Sequence, residues 1–199
     1  MNNIWKPEHF SSPALLLIDL QNAFFEYPAL ERQRATLLKH CQRLINTANE
    51  YDLPVFNICT VHRRDKSTWT LSMLEDDQGF VLEGTTQAQN LAELDLRGSQ
   101  QIIKHRDSAF FRTVLEQSLR TLGFHSLIIA GVSSQSCIAA TAGDAFAANF
   151  RVAIAKQAVA SEDPHFEKTT LQLLAEQHRQ PAVDTESLIN AISRPEQSE

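Results

Sequence analysis

Apolar runs of strand length alternate with segments of helical periodicity along most of this chain. That alternation limits the possible folds more than any other feature. Pro13-Ala14-Leu15-Leu16-Leu17-Ile18-Asp19 is the first run, Val55-Phe56-Asn57-Ile58-Cys59 the second and Gln101-Ile102-Ile103-Lys104 the third. His125-Ser126-Leu127-Ile128-Ile129-Ala130, Arg151-Val152-Ala153-Ile154-Ala155 and a short Pro181-Ala182-Val183 follow. Between them the spacing predicts helices over residues 31–51, 108–122, 138–147 and 164–178, with a last one after Asp184 or Thr185. Asp107 or Ser108 is the expected cap of the second helix, whose Phe111, Val114, Leu115, Leu119 and Leu122 repeat on one face before Gly123 stops it. Asp163-Pro164 supplies a cap and a first-turn proline for the fourth. Runs without polar alternation suit strands buried on both faces, and helical connections make such strands parallel. The expected fold is α/β, a three-layer α-β-α arrangement around a Rossmann-like, mostly parallel six-stranded sheet.

At 199 residues, with 43% hydrophobic and 21% charged side chains, the sequence reads as one domain over 1–199, polar and frayed from Ser193 onward. A net charge of -6 disfavours nucleic acid and anionic membrane as partners. The beginning lacks a signal-peptide core and no apolar run reaches bilayer length, so the expected compartment is the cytoplasm. Neither a G-x-G-x-x-G after the first strand nor a phosphate-binding lysine loop occurs. Nucleotide binding therefore has no motif to rest on.

Three widely spaced cysteines give neither a disulfide framework nor a cysteine zinc site. Cys41 shares a helix face with Leu37, Leu38, Leu44, Ile45 and Ala48, and Cys59 lies within a strand; both read as core residues. Cys137 is placed differently, in the first turn of a helix just past the carboxyl end of a strand. Free amide N–H groups and the helix dipole favour a thiolate there. Taken alone, an inert buried thiol is the better account of it.

Two other reactive residues close strands: Asp19 the first and Lys104 the third. In a doubly wound sheet the first strand neighbours the second and fourth, so the three side chains can share one cleft. A thiol needs a base, a carboxylate can take its proton and return it to a leaving group, and an ammonium can hold both anions. Read one at a time, the aspartate caps a turn, the lysine snorkels to water and the cysteine packs in the core.

Asp19-Leu20-Gln21-Asn22-Ala23-Phe24 resembles the D-x-Q-N-x-F opening of the isochorismatase-like cysteine hydrolases. That superfamily includes nicotinamidases, N-carbamoylsarcosine amidases and ureidoacrylate amidohydrolases. Lys104-His105-Arg106-Asp107-Ser108-Ala109-Phe110 resembles its K-x-x-x-S-A-F motif, and Gly131-Val132-Ser133-Ser134-Gln135-Ser136-Cys137-Ile138 its G-V-x-T-x-x-C-V motif. The resemblance implies a catalytic triad of Asp19, Lys104 and Cys137. It also implies a non-proline cis peptide between Val132 and Ser133, with the backbone N–H groups of Ser133 and Cys137 aimed at an oxyanion. Ser134 departs from the usual threonine, and Gln135 from a frequent acidic residue.

The resemblance favours a cysteine amidase acting on a small amide or ureido substrate, since true isochorismatases commonly lack the cysteine. The alternatives are an isochorismatase-type vinyl ether hydrolase, an idle member that binds a metabolite or partner, and a thiol redox sensor. Nicotinamidases hold a metal after the second strand. Here Thr60-Val61-His62 offers one histidine without a charged partner, so no metal or other cofactor is expected. Residues 60–98 form a long polar stretch that reads as a pocket wall. Trp69 and Phe80 could line it with Phe24 opposite, while His62, Arg63, Arg64 and Arg106 could take a substrate carboxylate. The family is also expected to form homodimers or homotetramers.

Overall fold

The computed structural model of the chain describes residues 4–10 and 12–193. The tail expected to fray lies, beyond Ser193, outside the described residues. Six strands, β1 (Ala14–Ile18), β2 (Val55–Thr60), β3 (Gln100–Lys104), β4 (Ser126–Val132), β5 (Arg151–Ala160) and β6 (Ala182–Val183), form one sheet. Their order is β3-β2-β1-β4-β5-β6 and every pairing is parallel. This is the doubly wound order whose switch point falls between β1 and β4.

The helices are α1 (Pro28–Glu31), α2 (Arg34–Glu50), α3 (Leu71–Glu75), α4 (Leu115–Thr121), α5 (Ala139–Ala147), α6 (Pro164–His178) and α7 (Thr185–Ile192). Alternate residues of β1 serve the two faces of the sheet. Leu15 and Leu17 pack with Leu37, Cys41 and Leu44 of α2 and Leu188 of α7. Leu16 and Ile18 pack with Leu119 of α4, Ala142 of α5 and Leu174 of α6. Both faces are covered, which is why the strands carry no polar alternation. Among the described residues no helix is long and apolar enough to cross a membrane.

Several expected boundaries move, each for a local reason. The first helix opens earlier, at Pro28, and breaks at Arg32-Gln33 into α1 and α2. The helix expected from Asp107 or Ser108 begins only at Leu115. Ser108 is used elsewhere: its hydroxyl donates to Asp144 and accepts from the Phe110 N–H. Phe111 and Val114 are consequently 48% and 60% exposed, and only Leu115 and Leu119 of that stripe enter the core. β5 runs five residues past its expected end because it bulges. Ile129 of β4 pairs with Ile154, and Gly131, two residues on, pairs with Val159.

Gly131 has φ +118°, and a Cβ there would overlap the Ile18 carbonyl oxygen and lie 2.7 Å from the Ile18 nitrogen. Only glycine lets β4 approach β1 this closely. That approach occurs at the switch point, one residue before Asp19.

Candidate active site

Parallel register sets the site. Ile18 pairs with Ile58 and with Gly131, and Thr60 pairs with Lys104, so the ends of β1, β2, β3 and β4 meet at one edge. Asp19 leaves β1 with φ 54°, a left-handed conformation that aspartate tolerates better than most residues. Its N–H donates to Ile58 O at 2.9 Å. Oδ1 accepts from the Thr60 N–H at 3.0 Å and the Thr60 hydroxyl at 2.8 Å. Oδ2 faces Lys104 Nζ at 2.9 Å, both side chains being fully buried, and takes no other hydrogen bond.

Lys104 Nζ also donates to Thr60 Oγ1 at 2.7 Å, to Arg106 O at 3.2 Å and to Cys137 Sγ at 3.3 Å. A buried ammonium is tolerable only when every donor has an acceptor and an anion is close, and these contacts meet both conditions. Burial opposes its charge, but Asp19 and Cys137 outweigh that and raise its pKa above the ordinary lysine value.

Cys137 stands at the helix start expected for it, just past β4. It lies in a π turn, Ser134–Ile138, that precedes α5, with the Ile138 N–H donating to Ser133 O at 3.2 Å. Burial, and then the negative charge of Asp19, push the thiol pKa well above its ordinary value; Lys104 only partly offsets them. The sulfur is held between a carboxylate and an ammonium that act on its proton affinity in opposite senses. Desolvation and a neighbouring anion thus oppose the thiolate that a helix end favours.

The Val132-Ser133 peptide is cis. The residues after it are tied to the end of β5 and the start of α6. Ser133 Oγ donates to Glu162 at 2.6 Å, and Gln135 Nε2 donates to the same carboxylate. Ser161 Oγ donates to Gln135 Oε1 at 2.6 Å. Ser134 Oγ lies 3.0 Å from Ala160 O and 3.3 Å from Glu167. Gln135, in the place of a frequent acid, thus meets an acid supplied by Glu162.

The pocket-wall residues fall into two groups. Phe24 and Phe80 meet edge to face at 5.4 Å. His62 and Trp69 are buried: His62 Nδ1 lies 2.9 Å from Thr68 O, and Trp69 Nε1 donates to Arg63 O at 2.8 Å. Arg106 donates to the backbone oxygens of Thr68, His105 and Trp69, so it clamps the 62–69 loop beside Lys104. Sequence reasoning passed over Thr60 and Gln21. The Gln21 side chain accepts from the Thr60 N–H and donates to Thr60 O and Ala88 O, all within 2.8–2.9 Å. Its place inside the D-x-Q-N-x-F stretch was the available signal; Thr60 had none beyond ending a strand.

An isochorismatase domain matches residues 13–187. The chain belongs to the isochorismatase family. It is 30% identical over 166 residues to a probable inactive nicotinamidase of Arabidopsis thaliana, covering 79% of this chain and 85% of that one. It is 31% identical over 164 residues to the N-carbamoylsarcosine amidase of an Arthrobacter species, covering 76% of this chain and 61% of that enzyme. The crystal structure of an isochorismatase family protein from Desulfovibrio vulgaris superposes with a TM-score of 0.82 at 25% identity, covering 92% and 99% of the two chains. Amidases and nicotinamidases thus stand among the relatives of this isochorismatase-family hydrolase.

A metal of the nicotinamidase kind does not fit the donors present. Among the described residues no three His, Cys, Asp or Glu side chains converge to hold an ion. Thr60 spends its hydroxyl on Asp19 and Lys104. His105, whose ring is 6.1 Å from that of His62, has its Nδ1 against Val61 O at 2.6 Å.

Proposed function

We propose that this isochorismatase-family hydrolase is a cysteine amidase that cleaves the C–N bond of a small amide or ureido substrate. The observation that carries the proposal is the position of Lys104 Nζ, 2.9 Å from Asp19 Oδ2 and 3.3 Å from Cys137 Sγ in a closed polar cluster. Cys137 attacks the carbonyl carbon as its proton passes to Asp19, which has an oxygen open to it. Lys104 keeps its charge throughout and stabilises whichever partner is anionic. Backbone N–H groups of Ser133 and Cys137 receive the developing oxyanion. Asp19 protonates the departing nitrogen, leaving a thioester. Water, deprotonated by Asp19, then releases the acid and returns the thiol. A deprotonation coupled to attack suits a thiol whose pKa burial and Asp19 raise.

A carboxylate-bearing substrate is the class we infer, with the exposed Arg63 and Arg64 as its candidate partners, since Arg106 is engaged with the 62–69 loop. The test is ammonia release from a panel of amides and ureides, paired with the Cys137→Ala variant. Loss of all turnover in a folded variant is the expected outcome, together with an acyl-enzyme mass adduct on Cys137 in the wild type. Wild-type rates in Cys137→Ala overturn the proposal. No turnover of any panel member, with iodoacetamide labelling the three thiols equally slowly, selects the idle reading instead.

A further inference from the structure

The molecule has a cavity of about 670 Å³ at the edge of the sheet opposite Cys137. It lies at the amino-terminal ends of β5 and β6, where α5 and α6 finish. Its size is that of a site for a small organic ligand. The first distinctive feature is charge. Lys6, Arg151 and Arg179 reach it from three separate segments, and among the described residues no Asp or Glu lines it. Glu8, on the same turn as Lys6, is not part of the lining. In a chain of net charge -6 this is a marked local excess of cation.

Among the described residues these charges are also unspent. Arg34, Arg43, Arg97, Arg120, Lys66 and Lys104 each pair with a carboxylate. Among the described residues the side chains of Lys6, Arg151 and Arg179 have no such partner. Nor are they needed to close the two helix ends, a common use of cations at such positions. Arg120 donates to Ala148 O beyond α5 at 2.7 Å, and the backbone N–H groups of Arg179 and Gln180 close α6 on Leu174 O.

The second feature is a flat apolar wall. The Phe146 and His178 rings stack at 4.4 Å and 8°, leaving Phe146 48% exposed, and Phe150 lies beside them on the lining. Guanidinium groups pair in two-pronged fashion with carboxylate and phosphate, and a ring edge or face suits a planar body.

We propose that this cavity is a second ligand site, separate from the Asp19–Lys104–Cys137 cluster, for a small organic oxyanion carried on a flat apolar body. Aryl carboxylates and aryl phosphates share that chemistry. The test uses the full chain at fixed ionic strength, titrated with the amphiphilic anion 1-anilinonaphthalene-8-sulfonate and then with benzoate, phenyl phosphate or neutral benzyl alcohol as displacer. One probe per chain is expected, displaced at least tenfold better by an acid than by the alcohol. The stronger acid identifies the headgroup. Arg151→Gln/Arg179→Gln should weaken probe and acid by about tenfold or more with unchanged circular dichroism, while Cys137→Ser leaves both intact. If the double variant does not fold, Lys6→Gln serves in its place with a threefold weakening required. Unsaturable probe binding, equal displacement by the alcohol, insensitivity to the arginine variants or loss in Cys137→Ser each overturns the proposal.

Discussion

Thr60 accepts a hydrogen bond from the Lys104 ammonium at 2.7 Å with the same oxygen that donates to Asp19 at 2.8 Å. One hydroxyl therefore joins the two charged members of the cluster, and it arrives from β2, the strand between those that carry them. Register explains it: Thr60 pairs with Lys104, and β2 lies between β1 and β3.

Thr60→Val keeps the shape and removes that oxygen. Asp19 Oδ1 would retain only the Thr60 N–H, and the ammonium would lose an acceptor where water cannot replace it. Breaking one side of a buried polar contact costs about 1–3 kcal/mol. We expect kcat/KM on the best amide to fall about 10- to 100-fold, with Thr60→Ser returning most of it. Equal rates for valine and threonine would show that the bridge has no part in turnover.

The sheet and the three strand-end residues were legible because their signals are local and strong: apolar runs, a charge closing two of them, a cysteine past a third. What was not legible depends on pairing across the sheet. Thr60 acquires its place from register, and the β5 bulge from a mismatch with β4 that no single segment reveals. The late start of α4 has another cause. Ser108 carries a good capping side chain, but Asp144, distant in sequence, engages it. Cys137 shows the limit most clearly, since its helix-end position was readable while the burial and the anion that raise its pKa were not.

Gly131 and Gly143 make a controlled comparison. Alanine at 131 must occupy the backbone of Ile18 and adopt φ near +118°, whereas at 143, within α5, nothing lies within 4 Å of the added methyl. Gly131→Ala is expected to be insoluble or to lose more than about 4 kcal/mol, the range of severe core disruption. Gly143→Ala should gain about 0.5–1 kcal/mol from helix propensity. Thermal melts of the pair decide it, and a Gly131→Ala protein as stable as wild type would contradict the close approach of β4 to β1.

Alkaline pH should destabilise the fold. Burial pushes the Cys41 thiol up to about 12 and, with smaller contributions, the Cys59 thiol to about 11. Between pH 9 and 11 the unfolded chain releases these protons while the folded chain keeps them. The unfolded state then binds fewer protons, so stability falls as pH rises, by at most about 1.4 kcal/mol per pH unit for each thiol and by less for Cys59 as pH nears 11. Urea midpoints taken across that window give the slope. Cys41→Ala should reduce it by about one thiol's share, whatever it does to stability at pH 7, and an unchanged slope would refute the assignment.

The ion pair between Asp19 and Lys104 predicts an asymmetry between single and double replacement. Lys104→Met removes the cation and strands the Asp19 carboxylate, which is fully buried, at the centre of the sheet edge. Leaving one buried charge unpaired costs about 3–5 kcal/mol. Asp19→Asn/Lys104→Met removes both charges, and the asparagine can still accept from Thr60. Urea unfolding should show the double variant more stable than Lys104→Met although it carries one more substitution, and neither should release ammonia from any amide. A double variant no more stable than the single would mean that Asp19 is not held as an anion by Lys104, and the proton path from Cys137 would need another acceptor.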